Sequence, residues 1–180
     1  GNAIMTSKNH KTGTDRIYEA FKLLDRNDIE LIMNIQGDEP QIDINDIKNL
    51  DNKMKSNEAK IGTLAAKINN PEIYKNENCV KVKVKEPFDK NSFPCAEHFM
   101  RRTKDTKDLF HHIGIYCYQV EVLKKFITLT QSKNELNNRL EQLRALDNDI
   151  DINVALAKKS PIGVDTEEDY LAIKKIMKYK

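Results

Sequence analysis

The chain has 180 residues, of which 39% are hydrophobic and 32% charged, a composition typical of a soluble globular protein with one core of ordinary size. Thirty basic and 28 acidic residues nearly cancel, and the net charge of +2 favours neither a nucleic-acid groove nor a membrane surface. No apolar run approaches the roughly 20 residues that a membrane-spanning helix needs, and no signal peptide is visible at the start. Three cysteines without a CxxC spacing indicate reduced thiols in a cytoplasm.

The first half of the chain alternates apolar runs with amphipathic segments. Residues 3–6 are a short strand candidate, and Thr14 is predicted to cap a helix with one apolar stripe. Residues 30–35 form a continuous apolar run, as expected for a parallel strand that is covered on both faces. A helix over residues 44–55, a strand over 61–68 and a helical turn opened by Pro71 follow.

The second half continues the alternation. Val and Lys alternate over residues 80–84, which predicts a half-exposed strand near a sheet edge. A strand over 110–120 and a helix over 121–129 follow, and four leucines at helical spacing predict another helix over 135–147. Residues 150–157 read as a strand. Thr166 is predicted to cap a last helix whose buried stripe consists of Tyr170, Ile173, Ile176 and Met177.

This order of elements predicts an α/β fold with a mainly parallel (mixed) sheet and helices on both faces, in a single domain over residues 1–180. Residues 85–110 are expected to be an insertion that forms a small hairpin or contacts a second subunit. Ligands of open α/β sheets bind beyond the carboxyl ends of the strands, so polar residues at those ends are the site candidates.

Two such strand ends carry acids. Gln36, Gly37 and Asp38 follow the apolar run of residues 30–35, and Asp38 is well placed to hold a hard cation through oxygen. A solvated turn with a capping acid explains the same pattern equally well. Asp165 stands just before the last helix, and by itself it is better explained as a helix cap. If both acids converge, they could share one Mg²⁺, which prefers one or two carboxylates together with water and phosphates.

A third candidate is the strand segment with His111 and His112. Satisfied core histidines are favoured there over metal ligands, because the chain has no HxH, HExxH or Cys–His cluster for zinc. The P-loop, dinucleotide-binding and hydrolase-elbow motifs are also absent from the sequence.

Several strings together resemble the 3-deoxy-manno-octulosonate cytidylyltransferase (CMP-Kdo synthetase) family, in the family's order and across essentially all of the chain. They are MTS at 5–7 with TGTDR at 12–16, NIQGDEP at 34–40, HIGIY at 112–116, LEQLR at 140–144 and GVDTEED at 163–169. Each string alone is weak, and their combination separates this family from most other nucleotidyltransferases.

The resemblance implies a nucleotide-diphospho-sugar transferase-like fold and a set of site residues. Asp38 and Asp165 match the catalytic aspartates that bind Mg²⁺, the implied cofactor. Thr14 and Arg16 match a loop that touches the nucleotide. The implied sugar-acid pocket is lined by Gln36, Arg101, His112, Tyr116, Glu141 and Gln142. The match of Arg101 rests on an FSR-type motif in which Met100 replaces the serine.

The implied reaction joins 3-deoxy-manno-octulosonate (Kdo) to CMP for lipopolysaccharide biosynthesis in the cytoplasm. The anomeric hydroxyl of the sugar attacks the α-phosphate of CTP and releases pyrophosphate, and the bound cation supplies positive charge between two anionic substrates. No general base is assigned, and the partners are CTP, Kdo and a second copy of the chain in a homodimer.

Two other interpretations stay open. One is a sister cytidylyltransferase for another acidic sugar, such as 8-amino-Kdo or a sialic acid. The other is a non-catalytic sheet domain that binds a partner or only dimerises. The family also begins with a strand and a basic loop that hold the triphosphate, and nothing before Gly1 supplies them. We therefore expect the N-terminally truncated chain to bind little CTP and to turn over none.

Overall fold

A computed structural model describes residues 3–89, 91–161, 163–164 and 166–177 of the chain. One six-stranded sheet contains β1 Leu31–Asn34, β2 Ile61–Lys67, β3 Lys81–Val84, β4 Ala96–Met100, β5 Leu109–Gln119 and β6 Ile152–Leu156. The helices are α1 Gly13–Leu24, α2 Ile44–Asn57, α3 Glu72–Lys75, α4 Val120–Phe126, α5 Lys133–Asn138, α6 Leu143–Leu146 and α7 Glu167–Met177.

The sheet is mixed, with the order β4-β3-β5-β2-β6, and β1 pairs with the other end of β5. The α/β class is therefore confirmed, but the expected predominance of parallel pairing is wrong. Within the described residues only β2 and β6 pair in parallel, whereas β1, β2 and β3 each run antiparallel to β5, and β3 runs antiparallel to β4. The cause is the central position of β5. Four strands share one direction, but β5 runs the other way between them.

Apolar residues pack against both faces of the sheet, as predicted. Alternate residues of β5 explain this, because successive side chains of a strand point to opposite faces. Tyr116 and Tyr118 pack with residues of α1, α4 and α6 on one face, and Ile115 and Cys117 pack with residues of α2 on the other. Burial on the α2 side raises the pKa of the Cys117 thiol to about 12, so this cysteine is an inert core residue.

Two strand predictions in the first third of the chain need correction. Residues 3–6 form no strand in the described part of the chain, and Met5 is 88% exposed. β1 is covered on both faces as expected, with Leu31 and Met33 against one core cluster and Ile32 against the other, but its residues are only half-buried and it pairs antiparallel, not parallel, with β5. The predicted helix and strand that became α2 and β2 are confirmed within two residues at each end.

The alternating segment that became β3 is also more buried than predicted. β3 lies between β4 and β5, and β4 forms the outer edge that the pattern had suggested for β3. Lys81 is fully buried, since its ammonium group donates to the backbone carbonyl oxygens of Asn76 at 3.0 Å and Cys79 at 2.8 Å and also contacts that of Arg101. A lysine in an alternating pattern can therefore point inward where carbonyl oxygens receive it.

Three helix predictions need correction. Thr12, and not Thr14, caps α1, because its hydroxyl accepts from the backbone N–H of Asp15 at 3.2 Å. The single helix predicted over 135–147 is two short helices, since Arg139 has a left-handed backbone with φ of 53° that ends α5. Thr166 caps α7 as predicted, but of the predicted stripe Ile173 alone is buried.

None of the described helices is long and apolar enough to cross a membrane.

Candidate functional site

A cavity of about 650 Å³ opens at the polar end of the sheet, where the chain leaves β1 and where β5 bends. The segment between α5 and α6, the loop before β3 and the residues before α7 complete its wall. Eight of the residues predicted for the site line this cavity: Thr14, Gln36, Asp38, Arg101, His112, Tyr116, Glu141 and Gln142. The structure thus brings together residues that lie far apart in sequence, and their individual roles remain predictions.

The bend in β5 is a β-bulge opposite β2. Thr63 pairs with Tyr116 and the next residue, Leu64, pairs with Ile113, so Gly114 and Ile115 are extra residues on β5. A Cβ atom at position 114 would lie 3.5 Å from the side-chain oxygen of Gln36, which shows that the Gln36 amide rests over the glycine. The HIGIY string is therefore a bulge that places His112 and Tyr116 on one face with Gln36 beside them.

His112 is held by a hydroxyl and two aromatic rings. Its Nε2 atom lies 3.0 Å from the Thr63 hydroxyl oxygen, and its ring centroid is 5.1 Å from that of Phe99 and 5.4 Å from that of Tyr116. Burial lowers the pKa of His112 to about 3, so the ring is neutral at physiological pH. Burial likewise raises the pKa of Tyr116, which keeps its phenol protonated.

The turn after β1 contacts the segment before α7. The backbone N–H of Glu39 donates to the carbonyl oxygen of Gln36 at 3.3 Å, which closes the turn around Asp38. The backbone N–H of Val164 donates to the carbonyl oxygen of Asp38 at 2.9 Å. Asp38 itself is exposed on the cavity wall. Asp165, the second predicted metal ligand, lies outside the described residues.

The LEQLR string splits its polar side chains between the cavity and the protein interior. Glu141 and Gln142 line the cavity. Burial raises the pKa of Glu141, while the hydroxyls of Thr14 and Thr12 oppose the rise. Arg144 points inward, and its guanidinium donates to both carboxylate oxygens of Glu135 at 2.8 Å and 2.5 Å. This buried ion pair lies behind the two cavity residues.

Arg101 lines the cavity but also ties its rim together. Its guanidinium donates to the backbone carbonyl oxygens of Asn138 at 3.1 Å, Glu77 at 3.0 Å and Arg139 at 3.2 Å. These bonds use three of the five N–H donors of an arginine, which leaves two for a ligand. Arg101 can therefore hold the rim and still face a substrate.

The two residues predicted to touch the nucleotide separate in the structure. Thr14 is 2% exposed and lines the cavity. Arg16 is exposed on α1, where it donates to the Thr6 hydroxyl at 2.6 Å and to the Ser7 carbonyl oxygen at 3.2 Å. Arg16 is not among the described residues that line the cavity.

Sequence reasoning missed a polar contact inside the cavity between His111 and Ser160. The Nδ1 atom of His111 and the Ser160 hydroxyl are hydrogen-bonded, and both residues line the wall. Burial and nearby Lys81 lower the pKa of His111. His111 was singled out in the sequence, but nothing in its spacing from Ser160 indicated that the two residues meet.

The cavity is rich in acids. Its described wall contains two arginines, Arg101 and Arg139, and five carboxyl side chains, which belong to Asp38, Glu39, Glu141, Glu168 and Asp169. No group of three His, Cys, Asp or Glu side chains within the described residues could hold a metal ion by itself. The described wall therefore offers several carboxylate oxygens, but no group of them that could fill the coordination shell of a metal ion. Such a wall suits Mg²⁺, which takes its other ligands from water and substrate.

Comparison with known proteins identifies the family of the chain. The family model described as "Cytidylyltransferase" matches residues 1–152. The 3-deoxy-manno-octulosonate cytidylyltransferase of Thermodesulfovibrio yellowstonii is 41% identical over an alignment that covers 94% of this chain and 71% of that protein.

Two solved structures extend the comparison to the fold. The structure of CMP:2-keto-3-deoxy-manno-octonic acid synthetase complexed with CTP superposes with a TM-score of 0.85 and 30% identity, covering 99% of this chain and 73% of the other. A glucose-1-phosphate thymidylyltransferase structure from Bacillus anthracis, with a TM-score of 0.61 and 12% identity, covering 94% of this chain and 62% of the other, shares the fold alone. The chain belongs to the 3-deoxy-manno-octulosonate cytidylyltransferases of the cytidylyltransferase family.

Proposed function

We propose that the protein transfers CMP from CTP to the anomeric hydroxyl of Kdo and releases pyrophosphate. The observation that carries the proposal is the single cavity in which Gln36, His112, Tyr116, Glu141 and Gln142 converge beside Asp38. Membership in the family supports the same reaction, because the relatives bear the name of this enzyme.

The chemistry of the wall suits a polyhydroxylated acid. The amides of Gln36 and Gln142 offer both donors and acceptors, and the neutral ring of His112 offers a polar nitrogen without adding charge. The two remaining N–H groups of Arg101 suit a carboxylate, whose two oxygens match a guanidinium fork. We therefore assign the sugar acid to the part of the cavity between the β5 bulge and residues 139–142.

Mg²⁺ is part of the proposal. Asp38 and Asp165 would hold it, and the contact between Val164 and Asp38 supports a shared position for the two segments. When bound, the ion supplies positive charge to the α-phosphate. The protein's own contribution is to orient Kdo through Gln36, His112 and Tyr116, and to keep the Asp38 side chain facing the cavity.

The remaining elements of the proposal concern the protein in its cell. We infer a homodimer, a cytoplasmic location and a role in lipopolysaccharide biosynthesis, all three from the family resemblance. In the described sheet β4 is one of the two end strands of the order β4-β3-β5-β2-β6, and its exposed Glu97 and His98 are available to a second copy. Light scattering that shows only monomer at micromolar concentration would contradict the dimer.

Pyrophosphate release tests the function. The product of the complete reading frame is incubated with CTP, Mg²⁺ and one of three sugars: Kdo, 8-amino-Kdo or N-acetylneuraminic acid. Kdo binding to the 180-residue chain is measured in parallel by calorimetry, with the Gln36→Ala variant as a control for the pocket.

We expect release with Kdo and weaker Kdo binding by Gln36→Ala. Release only with another sugar would identify a sister enzyme. Binding of Kdo without any pyrophosphate release would favour the non-catalytic binding domain. The absence of both Kdo binding and pyrophosphate release would overturn the proposal.

A further inference from the structure

Thr63 is a fully buried hydroxyl on β2 that meets three polar groups of β5. Its Oγ1 atom lies 2.7 Å from the carbonyl oxygen of Ile115, 3.3 Å from that of Ile113 and 3.0 Å from Nε2 of His112. The two carbonyl groups face Thr63 because the β5 bulge interrupts the regular ladder between the two strands at this point.

The direction of these hydrogen bonds follows from counting protons. A threonine hydroxyl has one proton to donate, and both carbonyl oxygens can only accept. The proton must point at Ile115, because otherwise two oxygen lone pairs would face each other at 2.7 Å in the protein interior. Thr63 is then an acceptor for the remaining contact, so Nε2 of His112 is the donor.

A neutral imidazole carries one N–H group, so the other ring nitrogen has a free lone pair. His112 is neutral, since burial lowers its pKa far below 7. With its proton on Nε2, the lone pair is on Nδ1. No hydrogen bond joins Nδ1 to another described residue, while the His112 side chain lines the cavity.

We propose that Thr63 is a positioning residue that fixes the tautomer of His112, so that Nδ1 presents a hydrogen-bond acceptor to a hydroxyl group of the bound sugar acid. The inference rests on the proposed function for the identity of the ligand, but the tautomer follows from the protein alone. The rings of Phe99 and Tyr116 fix the plane of the imidazole, and Thr63 determines which of its nitrogens carries the proton.

Nitrogen NMR of the 180-residue chain labelled with ¹⁵N in its histidine rings tests the tautomer without any activity. The signals of His112 are identified by their loss in His112→Gln. In the unsubstituted chain near neutral pH, Nε2 should show a protonated-type shift and Nδ1 an unprotonated-type shift. Saturating Kdo should then move the Nδ1 signal in the direction expected for an accepted hydrogen bond.

Two variants of Thr63 separate the hydroxyl from the packing. Thr63→Val removes the acceptor and keeps the shape, so the proton should shift largely to Nδ1, and Kdo binding should weaken by about 2- to 10-fold, as for the loss of one neutral hydrogen bond. Thr63→Ser keeps the hydroxyl and should retain both the tautomer and the affinity.

The outcomes distinguish this inference from the proposed function. A protonated Nδ1 in the unsubstituted chain would overturn the inference whether or not Thr63→Val folds. An Nδ1 signal that does not respond while Kdo binds would overturn the ligand contact. Absence of Kdo binding with the predicted tautomer in place would instead count against the proposed function and the ligand contact together, and it would leave the role of Thr63 in fixing the tautomer standing.

Discussion

The backbone N–H of Val164 donates a 2.9 Å hydrogen bond to the carbonyl oxygen of Asp38. The two residues are separated by most of the chain, and each belongs to a segment in which the sequence predicted an acid for Mg²⁺. The bond uses only backbone atoms, so it joins the segments without consuming the Asp38 carboxylate. An exposed carboxylate with a fixed backbone can bind a cation with little rearrangement.

In the product of the complete reading frame, Asp38→Asn should lower pyrophosphate release by at least about 100-fold at fixed Mg²⁺, because a neutral amide is a poor ligand for a hard cation. The melting temperature should change little, since the side chain is exposed. Steady-state kinetics over a range of Mg²⁺ concentrations measures the effect. Asp151→Asn, which changes an exposed acid outside the cavity, is the matched control. Equal losses in the two variants would refute a special role for Asp38.

Removing one partner of the buried ion pair between Glu135 and Arg144 should destabilise the fold. Both side chains are 4% exposed, so Arg144→Met leaves a buried carboxylate unpaired and should cost about 3–5 kcal/mol of unfolding free energy. The double variant Glu135→Leu/Arg144→Met should cost clearly less than the sum of the two single variants. Urea unfolding of all four proteins measures the coupling, and simple additivity would contradict it.

Acid should weaken the same pair. Burial opposes ionisation of Glu135, but its bonds to Arg144 and Gln131 prevail, and the folded pKa of Glu135 lies below its ordinary value. A lowered carboxylate pKa gives stability that is present above the unfolded pKa and is lost as pH falls through the folded pKa. The stability difference between the unsubstituted chain and Glu135→Gln should therefore shrink below about pH 4.5. A difference that grows on acidification would exclude this account.

His112 should cause a second loss of stability at milder acidity. Its pKa is about 3 in the folded state and 6.5 when exposed, so below pH 6.5 the unfolded chain binds a proton that the folded chain cannot. Unfolding free energy should fall as pH drops from 6.5 towards 3, by a total on the order of 5 kcal/mol from this group. His112→Gln should flatten the profile, whereas His98→Gln, at an exposed histidine, should not. Parallel profiles for all three proteins would rule out the effect.

A side chain at Gly62 should be destabilising, because neighbouring side chains would have to shift to make room for it. A Cβ atom there would lie 2.5 Å from the sulfur of Met54 and 2.9 Å from a methyl group of Leu50. Gly62→Ala should therefore cost about 1–3 kcal/mol, and Met54→Ala in the same chain should recover part of the loss that overpacking causes. Gly13→Ala, where a Cβ atom meets nothing within 4 Å, is the control. Thermal unfolding measures the stability of the variants. A Gly62→Ala variant as stable as the unsubstituted chain would show that α2 moves freely on the sheet.

The sequence predicted most elements because their signals are local. The apolar runs of β2 and β5 and the helical spacing of α2 need no knowledge of neighbours. The direction of pairing does need it. β4 and β5 both run antiparallel to β3 and flank it on opposite sides, and no periodicity in residues 109–119 indicates that β5 takes the inner position.

The resemblance named more of the residues that line the cavity than the sequence pattern did. From spacing alone, Asp38 was as well explained by a solvated turn, and His112 was better explained as a core histidine. For His112 the interpretation as a core histidine was incomplete, because the residue is buried like a core residue and also lines the cavity. The inward Lys81 and the pair of His111 with Ser160 depend on tertiary contacts that the sequence order does not reveal.

The bulge in β5 also affects how reliably the chain can fold. A slip of two residues between β2 and β5 would leave each side chain on its own face, so the hydrophobic pattern alone discriminates weakly against it. Such a slip would separate Thr63 from Ile115 and His112, and it would leave a buried hydroxyl and a buried ring N–H without partners, at about 1–3 kcal/mol each. The polar contacts that prepare the cavity thus also mark the correct strand alignment, and a misaligned sheet would be penalised before any substrate is present.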